Sequence, residues 1–270
     1  MNLNGKRILL TGAAGGIGQP LALALANKGA KLALVDRDHA RIMTLCHKIK
    51  QLGGVAAAIV TDFQPTETIP SPAQYVVDEA MKHLEEVDIL INSAGILDFT
   101  LFEEQNLERI TQMMHINATV PIQLTRVLLP SLLTRNTGQI VNIGSIFGSI
   151  GFPHYATYSA SKFAIHGFSQ ALRRELADSN IVVTYVAPRA VKTPMNDQAA
   201  SMLEATKTEM DDPQVVVAQI IKAIEADKDE HYIGQPESFF AWLNGFLPSI
   251  VNIGLKKQAR IARHFAVSKN

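Results

Sequence analysis

Cysteine, aromatic residues and net charge are all scarce in this chain of 270 residues. Its only cysteine, Cys46, cannot form a disulfide within the chain, and we expect it to fill a small apolar space in a helix. Basic and acidic residues number 25 each, so the overall charge favours neither a nucleic acid nor an acidic partner. The eight histidines lack metal-ligand spacing, so we expect no metal site.

Long apolar runs are missing as well. No stretch reaches the roughly 18 apolar residues that a membrane-spanning helix needs, and residues 1–10 lack the apolar run of a secretion signal. We therefore expect a cytoplasmic location. Hydrophobic residues nevertheless make up 47% of the chain, which is enough to fill the core of one large α/β domain.

Short apolar segments of strand length alternate with segments of helical period. They are RILLT (7–11), KLALVD (31–36), VAAAIV (55–60), VDILIN (87–92), QIVNIG (139–144) and IVVTYVA (181–187). The alternation predicts parallel strands joined by helices, and the apolar character of both strand faces predicts helices on both sides of the sheet. We expect a single-domain α/β structure over residues 1–236, a three-layer Rossmann fold with a doubly wound parallel sheet. A mostly helical C-terminal extension is expected over residues 237–270.

A glycine-rich turn, TGAAGGIG (11–18), follows the first predicted strand and opens a helix. Gly12, Gly16 and Gly18 lie where side chains would keep a diphosphate away from the helix N-terminus. Backbone N–H groups and the helix dipole can hold an anion at such a position. The turn therefore predicts nucleotide binding.

Asp36 ends the second predicted strand, 18 residues after Gly18. Its carboxylate can accept hydrogen bonds from both hydroxyls of an adenosine ribose and would repel a 2′-phosphate. This predicts that NAD is preferred over NADP. Arg37 leaves NADP open, because a guanidinium can pair with that phosphate.

The segment YSASK (158–162) places a phenol and an ammonium four residues apart. Positions i and i+4 share one face of a helix, so we expect Lys162 to stabilise the phenolate of Tyr158 and lower its pKa. A tyrosine of this kind exchanges a proton with a ketone or an alcohol while a nicotinamide carries the hydride.

These motifs and four further positions stand in one order: Thr11-Gly12-x-x-x-Gly16-x-Gly18, Asp36, Asp62, NSAG (92–95), Asn117, Ser145 and Tyr158-x-x-x-Lys162. In this order the chain resembles the short-chain dehydrogenase/reductase family over about residues 5–235. The resemblance implies that Tyr158 is the general acid/base and that Lys162 lowers its pKa and holds the nicotinamide ribose. It also implies that Ser145 hydrogen-bonds the substrate oxygen. Asn117 would kink a long helix and hold a water that links Lys162 to solvent.

The same resemblance implies the remaining contacts. Asp62 would contact the adenine, Asn92 and Ala94 would line the cofactor cleft, and residues 188–193 would meet the carboxamide. The expected cofactor-binding residues are Gly12, Gly16, Ile17, Gly18, Asp36, Arg37, Asp62, Phe63, Asn92, Ala94, Tyr158, Lys162, Pro188, Val191 and Thr193. The expected substrate contacts are Ser145, Phe147, Phe152 and Tyr155. A homodimer or homotetramer is the family's usual assembly.

Two residues near this constellation are open to more than one interpretation. Arg189 stands where many members of the family have glycine, and it would either contact an anionic substrate or point to solvent. Tyr155 is a second tyrosine on the face of Lys162. The interval of 13 residues from Ser145 favours Tyr158 as the acid/base, which leaves Tyr155 as a wall of the substrate pocket.

The C-terminal extension combines aromatic and basic residues. Its aromatic cluster is Phe239, Phe240, Trp242 and Phe246, in a chain with only 6% aromatic residues. No acid follows Glu237, whereas five basic residues do: Lys256, Lys257, Arg260, Arg263 and Lys269. The extension would form an apolar lid over the substrate, pack on a partner subunit, or lie on a membrane surface with its basic end toward anionic headgroups.

The sequence thus predicts an NAD-preferring oxidoreductase that interconverts a secondary alcohol and a ketone. An apolar lid would suit a hydrophobic small-molecule substrate, either steroid-like or an acyl chain. A 3-oxoacyl-carrier-protein reductase is the alternative that shares every catalytic residue, although such reductases usually draw on NADPH. A non-catalytic dinucleotide-binding sensor or scaffold is the alternative from another class.

Overall fold

The computed structural model describes residues 1–64, 66–69 and 71–267. Within these ranges the strands are β1 (Arg7–Thr11), β2 (Lys31–Asp36), β3 (Val55–Val60), β4 (Ile89–Asn92), β5 (Gly138–Ile143), β6 (Ile181–Pro188) and β7 (Glu230–Ile233). They form one sheet in the order β3-β2-β1-β4-β5-β6-β7. Every neighbouring pair runs parallel.

Helices connect the strands and flank the sheet. They are α1 (Gly18–Asn27), α2 (His39–Gln51), α3 (Pro72–Leu84), α4 (Leu107–Met114), α5 (Val120–Arg135), α6 (Ala156–Glu175), α7 (Ala200–Ala205), α8 (Pro213–Glu225), α9 (Glu237–Asn244) and α10 (Pro248–Ala266). A π-helical turn (His115–Thr119) joins α4 to α5. Cys46 is buried in α2, as expected of a small apolar filler.

Each central strand contributes to two cores, because successive strand residues point to opposite faces. Ile8 and Leu10 of β1 face a core that α1, α2 and α8 cover. Leu9 faces the other core, which α3, α5 and α6 cover. All three side chains are fully buried. The three-layer, doubly wound α/β fold is confirmed.

The predicted bounds of β1, β2 and β3 agree with the structure residue by residue. β4 begins at Ile89, two residues later than predicted. The residue before it, Asp88, forms ion pairs of 2.7 Å with Arg7 and 2.9 Å with Arg135 at the rim of the sheet. The sequence pattern does not predict β7, because EHYI is short and half polar.

The strand order reverses direction at β1, whose neighbours are β2 on one side and β4 on the other. In an open parallel sheet such a reversal leaves a crevice beyond the carboxyl ends of the strands. The glycine-rich turn follows β1 and the segment that begins at Ser93 follows β4, so both lie at this crevice.

The C-terminal extension forms α9 and α10 as far as it is described; residues 268–270, which include Lys269, lie outside the described part. Val251, Ala262 and Ala266 of α10 are buried at a helical spacing of eleven and four residues, so one face of α10 packs on the body of the molecule. Among the helices described, none combines the length and the apolar character needed to cross a membrane.

Candidate active site

A cavity of about 340 Å³ lies over the carboxyl ends of the central strands. It extends from Asp36 at the end of β2 to Pro188 at the end of β6, and from the glycine-rich turn to α10. Of the expected site residues, it is lined by Gly12, Gly16, Ile17, Gly18, Asp36, Arg37, Asp62, Phe63, Ala94, Ser145, Phe147, Phe152, Tyr155, Tyr158, Lys162, Pro188, Val191 and Thr193. The structure therefore brings nearly all of the predicted set to one place.

The glycine-rich turn forms a floor that has no room for side chains. A Cβ atom at Gly12 would lie 2.7 Å from the Ala94 Cα atom, and one at Gly16 would lie 2.5 Å from Thr193 Cβ. A Cβ at Gly18 would overlap the carbonyl oxygen of Gly12. Gly12 also has φ +65°, a left-handed conformation that favours glycine. These glycines leave the N-terminus of α1 open to the cavity, which fits a diphosphate.

Asp36 is held by two backbone N–H groups at the far end of the cavity. Its Oδ2 accepts a hydrogen bond of 2.9 Å from the Ala14 N–H, and its Oδ1 accepts one of 3.1 Å from the Asp38 N–H. Arg37 is 67% exposed, and its guanidinium lies 3.9 Å from the carboxylate of Asp62. The fixed Asp36 carboxylate thus faces the cavity, while the Arg37 guanidinium is directed toward the Asp62 carboxylate.

Tyr158 and Lys162 lie one turn apart on α6, and both are buried, with exposed fractions of 8% and 6%. The Lys162 Nζ atom lies 5.6 Å from the centre of the Tyr158 ring and donates a hydrogen bond of 3.1 Å to the carbonyl oxygen of Ile143. The hydrogen bond therefore fixes the ammonium beside the phenol.

The pKa values of this pair are shifted by burial. Burial raises the pKa of Tyr158 to about 12, although a hydrogen bond with Ser145 acts in the opposite direction. Burial also lowers the pKa of Lys162 to about 8. Burial and the Ser145 hydrogen bond account for the shift at Tyr158, and the lowering of its pKa by the Lys162 charge stays a prediction. The helical spacing correctly places the two side chains together, and removal from water disfavours the charged form of each.

Ser145 follows β5, and Tyr185 of β6 holds its backbone. The Tyr185 hydroxyl donates to the carbonyl oxygen of Ser145 at 3.0 Å and accepts from its N–H at 3.3 Å. A Cβ atom at Gly144 or Gly148 would overlap the Tyr185 phenol, so the loop lies directly against this ring. The Ser145 hydroxyl accepts a hydrogen bond of 3.1 Å from the Phe147 N–H.

Asn117 lies in the π-helical turn between α4 and α5, behind the cavity rather than in its lining. Its amide nitrogen donates to the Ile96 carbonyl at 2.8 Å and to the Ser161 hydroxyl at 3.0 Å, and its oxygen accepts from the Ile96 N–H at 2.8 Å. A Cβ atom at Gly95 would lie 3.4 Å from that oxygen and 3.8 Å from Lys162 Nζ. Asn117 therefore ties the segment after β4 to α6 beside Lys162.

Asn92 differs from its expected role, because it does not line the cavity. It is buried, and its amide donates a hydrogen bond of 2.8 Å to Asn142 on the neighbouring strand β5. Asn142 in turn donates to the Ser169 hydroxyl at 2.8 Å. Asn92 is the last residue of β4, and the alternation along that strand turns its side chain into the core; Ala94 lines the cavity instead.

Aromatic rings form the wall beside Tyr158. Phe147 stacks on Phe152 with ring centres 5.0 Å apart, and it lies 5.1 Å from Tyr155 and 6.1 Å from Tyr158. Burial raises the pKa of Tyr155 well above its usual range, so its hydroxyl keeps its proton. Its position fits the predicted wall of the substrate pocket.

Arg189 lines the cavity and does not point freely into solvent, because carboxylates surround its guanidinium. Its guanidinium donates to Asp211 at 2.9 Å, to Glu209 at 3.1 Å and to Glu237 at 3.1 Å. These hydrogen bonds raise its pKa above the usual range. Arg189 therefore ties the end of β6 to the segment before α8 and to the start of α9.

The C-terminal extension contributes directly to the cavity, which Glu237 and Gln258 line. Ala262 and Ala266 of α10 share a buried apolar cluster with Tyr155 and Tyr158. The carbonyl oxygen of Ala259 lies 3.2 Å from a ring nitrogen of His154. α10 therefore lies against this end of the cavity. The aromatic cluster, which lies on α9 and the turn after it, is exposed and does not line the cavity.

Comparison with known proteins decides the family. The family model described as short chain dehydrogenase matches residues 6–204. This chain belongs to the short-chain dehydrogenase family. The ketoacyl reductase HetN of a Nostoc species is 33% identical over 237 residues, which cover 86% of this chain and 80% of that protein. Nodulation protein G of a Rhizobium species is 31% identical over 238 residues, which cover 86% of this chain and 94% of that protein.

A solved structure shares the fold of this short-chain dehydrogenase. It is the crystal structure of a short chain dehydrogenase/reductase from Burkholderia phymatum in complex with NAD. The TM-score is 0.83 at 21% sequence identity, and the match covers 93% of this chain and 96% of that one.

Sequence reasoning missed several residues that this short-chain dehydrogenase brings to the site. Met202, Leu203 and Thr208 line the cavity from the segment around α7, and Gln258 lines it from α10. No local motif marks these positions, because the chain reaches the cavity there only through its tertiary fold. The sequence could have indicated Tyr185, because a phenol in an otherwise apolar central strand needs a hydrogen-bond partner once it is buried.

Proposed function

We propose that this short-chain dehydrogenase is a nicotinamide-dinucleotide-dependent oxidoreductase that interconverts a secondary alcohol and a ketone. One observation carries the proposal. Ser145, Tyr158 and Lys162 converge on one end of a cavity whose other end has a glycine floor and the fixed carboxylate of Asp36. The end with Ser145, Tyr158 and Lys162 suits proton exchange with an alcohol or ketone oxygen. The end with the glycine floor and Asp36 suits an adenosine diphosphate.

The residues present fit a dinucleotide. The N-terminus of α1, freed by Gly12, Gly16 and Gly18, would hold the diphosphate. Asp36 would hold the adenosine ribose, and Lys162 the nicotinamide ribose. When bound, the dinucleotide supplies or accepts the hydride.

In this proposal Tyr158 is the residue that exchanges a proton with the substrate oxygen. With a pKa of about 12 the phenol is protonated at neutral pH, so it can donate its proton to a ketone oxygen. Ser145 holds the same oxygen through its hydroxyl. That donation leaves a Tyr158 phenolate, which the charge of Lys162 stabilises. In the reverse direction the phenolate accepts the alcohol proton and becomes a phenol again. Asn117 orders the backbone behind Lys162 through its hydrogen bonds with Ile96.

A preference for NAD over NADP is part of the proposal. The Asp36 carboxylate is held in place by Ala14 and Asp38, so it cannot swing away from a 2′-phosphate at low cost. Arg37 leans toward Asp62, which offsets part of its attraction for a phosphate. The crystal structure from Burkholderia phymatum, which holds NAD, is consistent with this choice.

A hydrophobic substrate is the expected class. Phe147, Phe152 and Tyr155 form an apolar wall beside Tyr158, and Leu203 adds to the lining. We propose that residues 1–236 form the catalytic domain and that α10 in the extension 237–270 closes the substrate end. The lining excludes water from the reacting oxygen, which strengthens its hydrogen bonds.

A 3-oxoacyl reductase is the second candidate, and the name of the HetN relative favours it. The same catalytic residues would serve, with an acyl chain along the aromatic wall. This candidate predicts turnover of 3-oxoacyl thioesters that exceeds turnover of ring-shaped ketones, together with a preference for NADPH.

The experiment begins with fluorescence titrations of the protein with NADH and with NADPH. We expect tighter binding of NADH, and we expect Asp36→Asn, which keeps an acceptor but removes the charge, to reduce or invert the preference. Turnover of apolar secondary alcohols is then measured for the wild type and for Tyr158→Phe. Loss of turnover with unchanged dinucleotide binding supports the enzyme; tighter NADPH binding together with thioester turnover supports the second candidate.

A further inference from the structure

The outer surface of α9 and the start of α10 exposes an unusual number of apolar side chains. We call this surface the aromatic ridge; its residues are Phe239, Phe240, Trp242, Phe246, Leu247, Ile250 and Ile253. Trp242, Phe246 and Ile253 are 60%, 69% and 68% exposed. The rings contact one another from α9 to the turn after it, with centres 5.9 Å apart between Phe239 and Trp242 and 5.2 Å apart between Trp242 and Phe246.

The active site does not account for the aromatic ridge, because none of its residues lines the cavity. The opposite face of α10 covers the substrate end through Ala262 and Ala266, and the neighbouring Val251 packs against Ile146 and Ala241. The extension therefore has two faces, one packed on the body and one left open. A contiguous exposed patch of this kind marks an interaction site.

The charge beside the aromatic ridge favours an anionic partner. Lys256 and Arg260 are exposed and follow Ile253 by three and seven residues, so they lie on the same side of α10. Farther along, Arg263 reaches Glu103 at 3.3 Å. The chain has no acidic residue after Glu237. Apolar rings thus lie at one end of the surface and cations at the other.

We propose that the aromatic ridge docks on the surface of an anionic lipid membrane. Phe and Trp side chains are favoured at the boundary between headgroups and acyl chains, and neighbouring Lys and Arg side chains are attracted to anionic headgroups. A second copy of the chain fits less well, because the same segment of that copy has no acidic residue after Glu237 to pair with Lys256 and Arg260. The proposal concerns binding alone and does not depend on the reaction.

Docking would place α10 between the membrane and the cavity. Gln258 lines the cavity, whereas Lys256 and Arg260 on the next turns face outward. The same helix would therefore touch lipid headgroups on one side and the substrate end of the cavity on the other.

Trp242 is the only tryptophan in the sequence, so its fluorescence reports on the aromatic ridge alone. The full chain is titrated with vesicles of phosphatidylcholine and with vesicles that also contain phosphatidylglycerol. We expect a shift of the emission to shorter wavelength and co-sedimentation with the anionic vesicles, and much weaker binding to the neutral ones. Raising the salt concentration should weaken the binding to the anionic vesicles.

Three variants test which side chains carry the binding, and all of them keep Trp242 as the probe. Phe239→Ser with Phe246→Ser should reduce the partition coefficient at least about tenfold. Lys256→Gln with Arg260→Gln should reduce it about 30-fold on anionic vesicles, at roughly one kcal/mol per cation. Phe102→Ser with Leu107→Ser, which are 62% and 80% exposed elsewhere, is the matched control and should bind as the wild type does.

Two results would overturn the proposal. The first is the absence of an emission shift and of co-sedimentation with any vesicle. The second is a shift that appears without lipid as the protein concentration rises, with sedimentation velocity showing a dimer that Phe239→Ser with Phe246→Ser abolishes. The occupant of the surface would then be a second copy of the chain.

Discussion

At the scale of single residues, burial governs the chemistry of α6. The sequence places Tyr158 and Lys162 on one helical face, and the structure agrees. Whether the pair favours charge or neutrality depends on how much water reaches it, and that follows from elements far away in the sequence. Position on a helix is a local property, whereas desolvation is not.

Lys162 makes the stability depend on pH in a defined window. In the folded chain it loses its proton near pH 8, against an ordinary pKa of 10.5 in the unfolded chain. Between these values the unfolded state binds more protons, so stability rises with pH. Lys162→Met should remove this rise. The free energy of unfolding of the variant should exceed that of the wild type most below pH 8, and this difference should shrink by ~3 kcal/mol toward pH 10.5.

The measurement is urea denaturation of both proteins at several pH values, compared as a difference. Tyrosines with raised pKa values, such as Tyr185, act on both proteins alike and cancel. A constant difference across the window would mean that Lys162 is hydrated.

Tyr185 is expected to position Ser145 without touching the substrate. Tyr185→Phe removes the hydroxyl that holds both the N–H and the carbonyl of Ser145. We expect kcat to fall about tenfold or more with little change in dinucleotide binding, and the free energy of unfolding to fall by about 1–3 kcal/mol. Tyr232→Phe is the matched control, since its hydroxyl binds the Ser149 side chain at 2.7 Å instead. Equal losses of kcat in both variants would contradict a positioning role.

Residue identity alone predicted most of the expected residues that line the cavity, but it did not indicate the partners of two side chains. Asn92 was expected in the cleft, and Arg189 was expected either at the substrate or in solvent. Both side chains instead find partners on neighbouring segments, Asn142 for the first and Asp211 for the second. A pattern gives the position of a residue in the chain but does not identify the groups that tertiary structure brings within hydrogen-bond distance.

At the scale of elements, the predicted strands are reliable where they are long and apolar. β1, β2 and β3 keep their predicted bounds, whereas β7 was missed. In the extension, Pro248 opens α10, where its missing N–H has no intrahelical partner to lose, and Gly254 is accommodated within the helix.

Arg189 is expected to hold the covering segments closed. Arg189→Ala breaks the ion pairs with Asp211 and Glu237, so the segment before α8 and the start of α9 should loosen. KM for an apolar alcohol should rise several-fold while NADH binding stays unchanged. Arg263→Ala is the matched control, because its pair with Glu103 lies on the surface and is worth little. Weakened NADH binding in Arg189→Ala would place its effect at the cofactor end instead.

At the scale of the whole molecule, ligand binding and stability are linked. NADH at about 100 times its Kd should raise the free energy of unfolding by about 2.7 kcal/mol, because only the folded chain forms the glycine floor and the Asp36 contact. Calorimetry should show a higher Tm with NADH than with NADPH at equal concentration. Tyr158→Phe should gain as much as the wild type, which separates binding from turnover. An equal rise with both dinucleotides would argue against a role for Asp36 in selection.

The general architecture of the molecule could be predicted, while the shape of its pocket could not. Alternating apolar strands and helices leave few choices of topology, so the doubly wound sheet followed from pattern alone. Met202, Leu203 and Gln258 complete the cavity from segments without motif or strict period. Their positions at the cavity depend on how α7 and α10 pack, and that packing depends on many residues together.

The two hydrogen bonds that hold Asp36 also limit how this chain can evolve. The carboxylate joins the glycine-rich turn at Ala14 to the start of α2 at Asp38. Under the proposed preference for NAD, a descendant that adopts a 2′-phosphorylated dinucleotide would give up this carboxylate, and with it the support of both turns. Mutations that restore the turns would have to come first, so a change of cofactor requires an ordered series of substitutions rather than a single one.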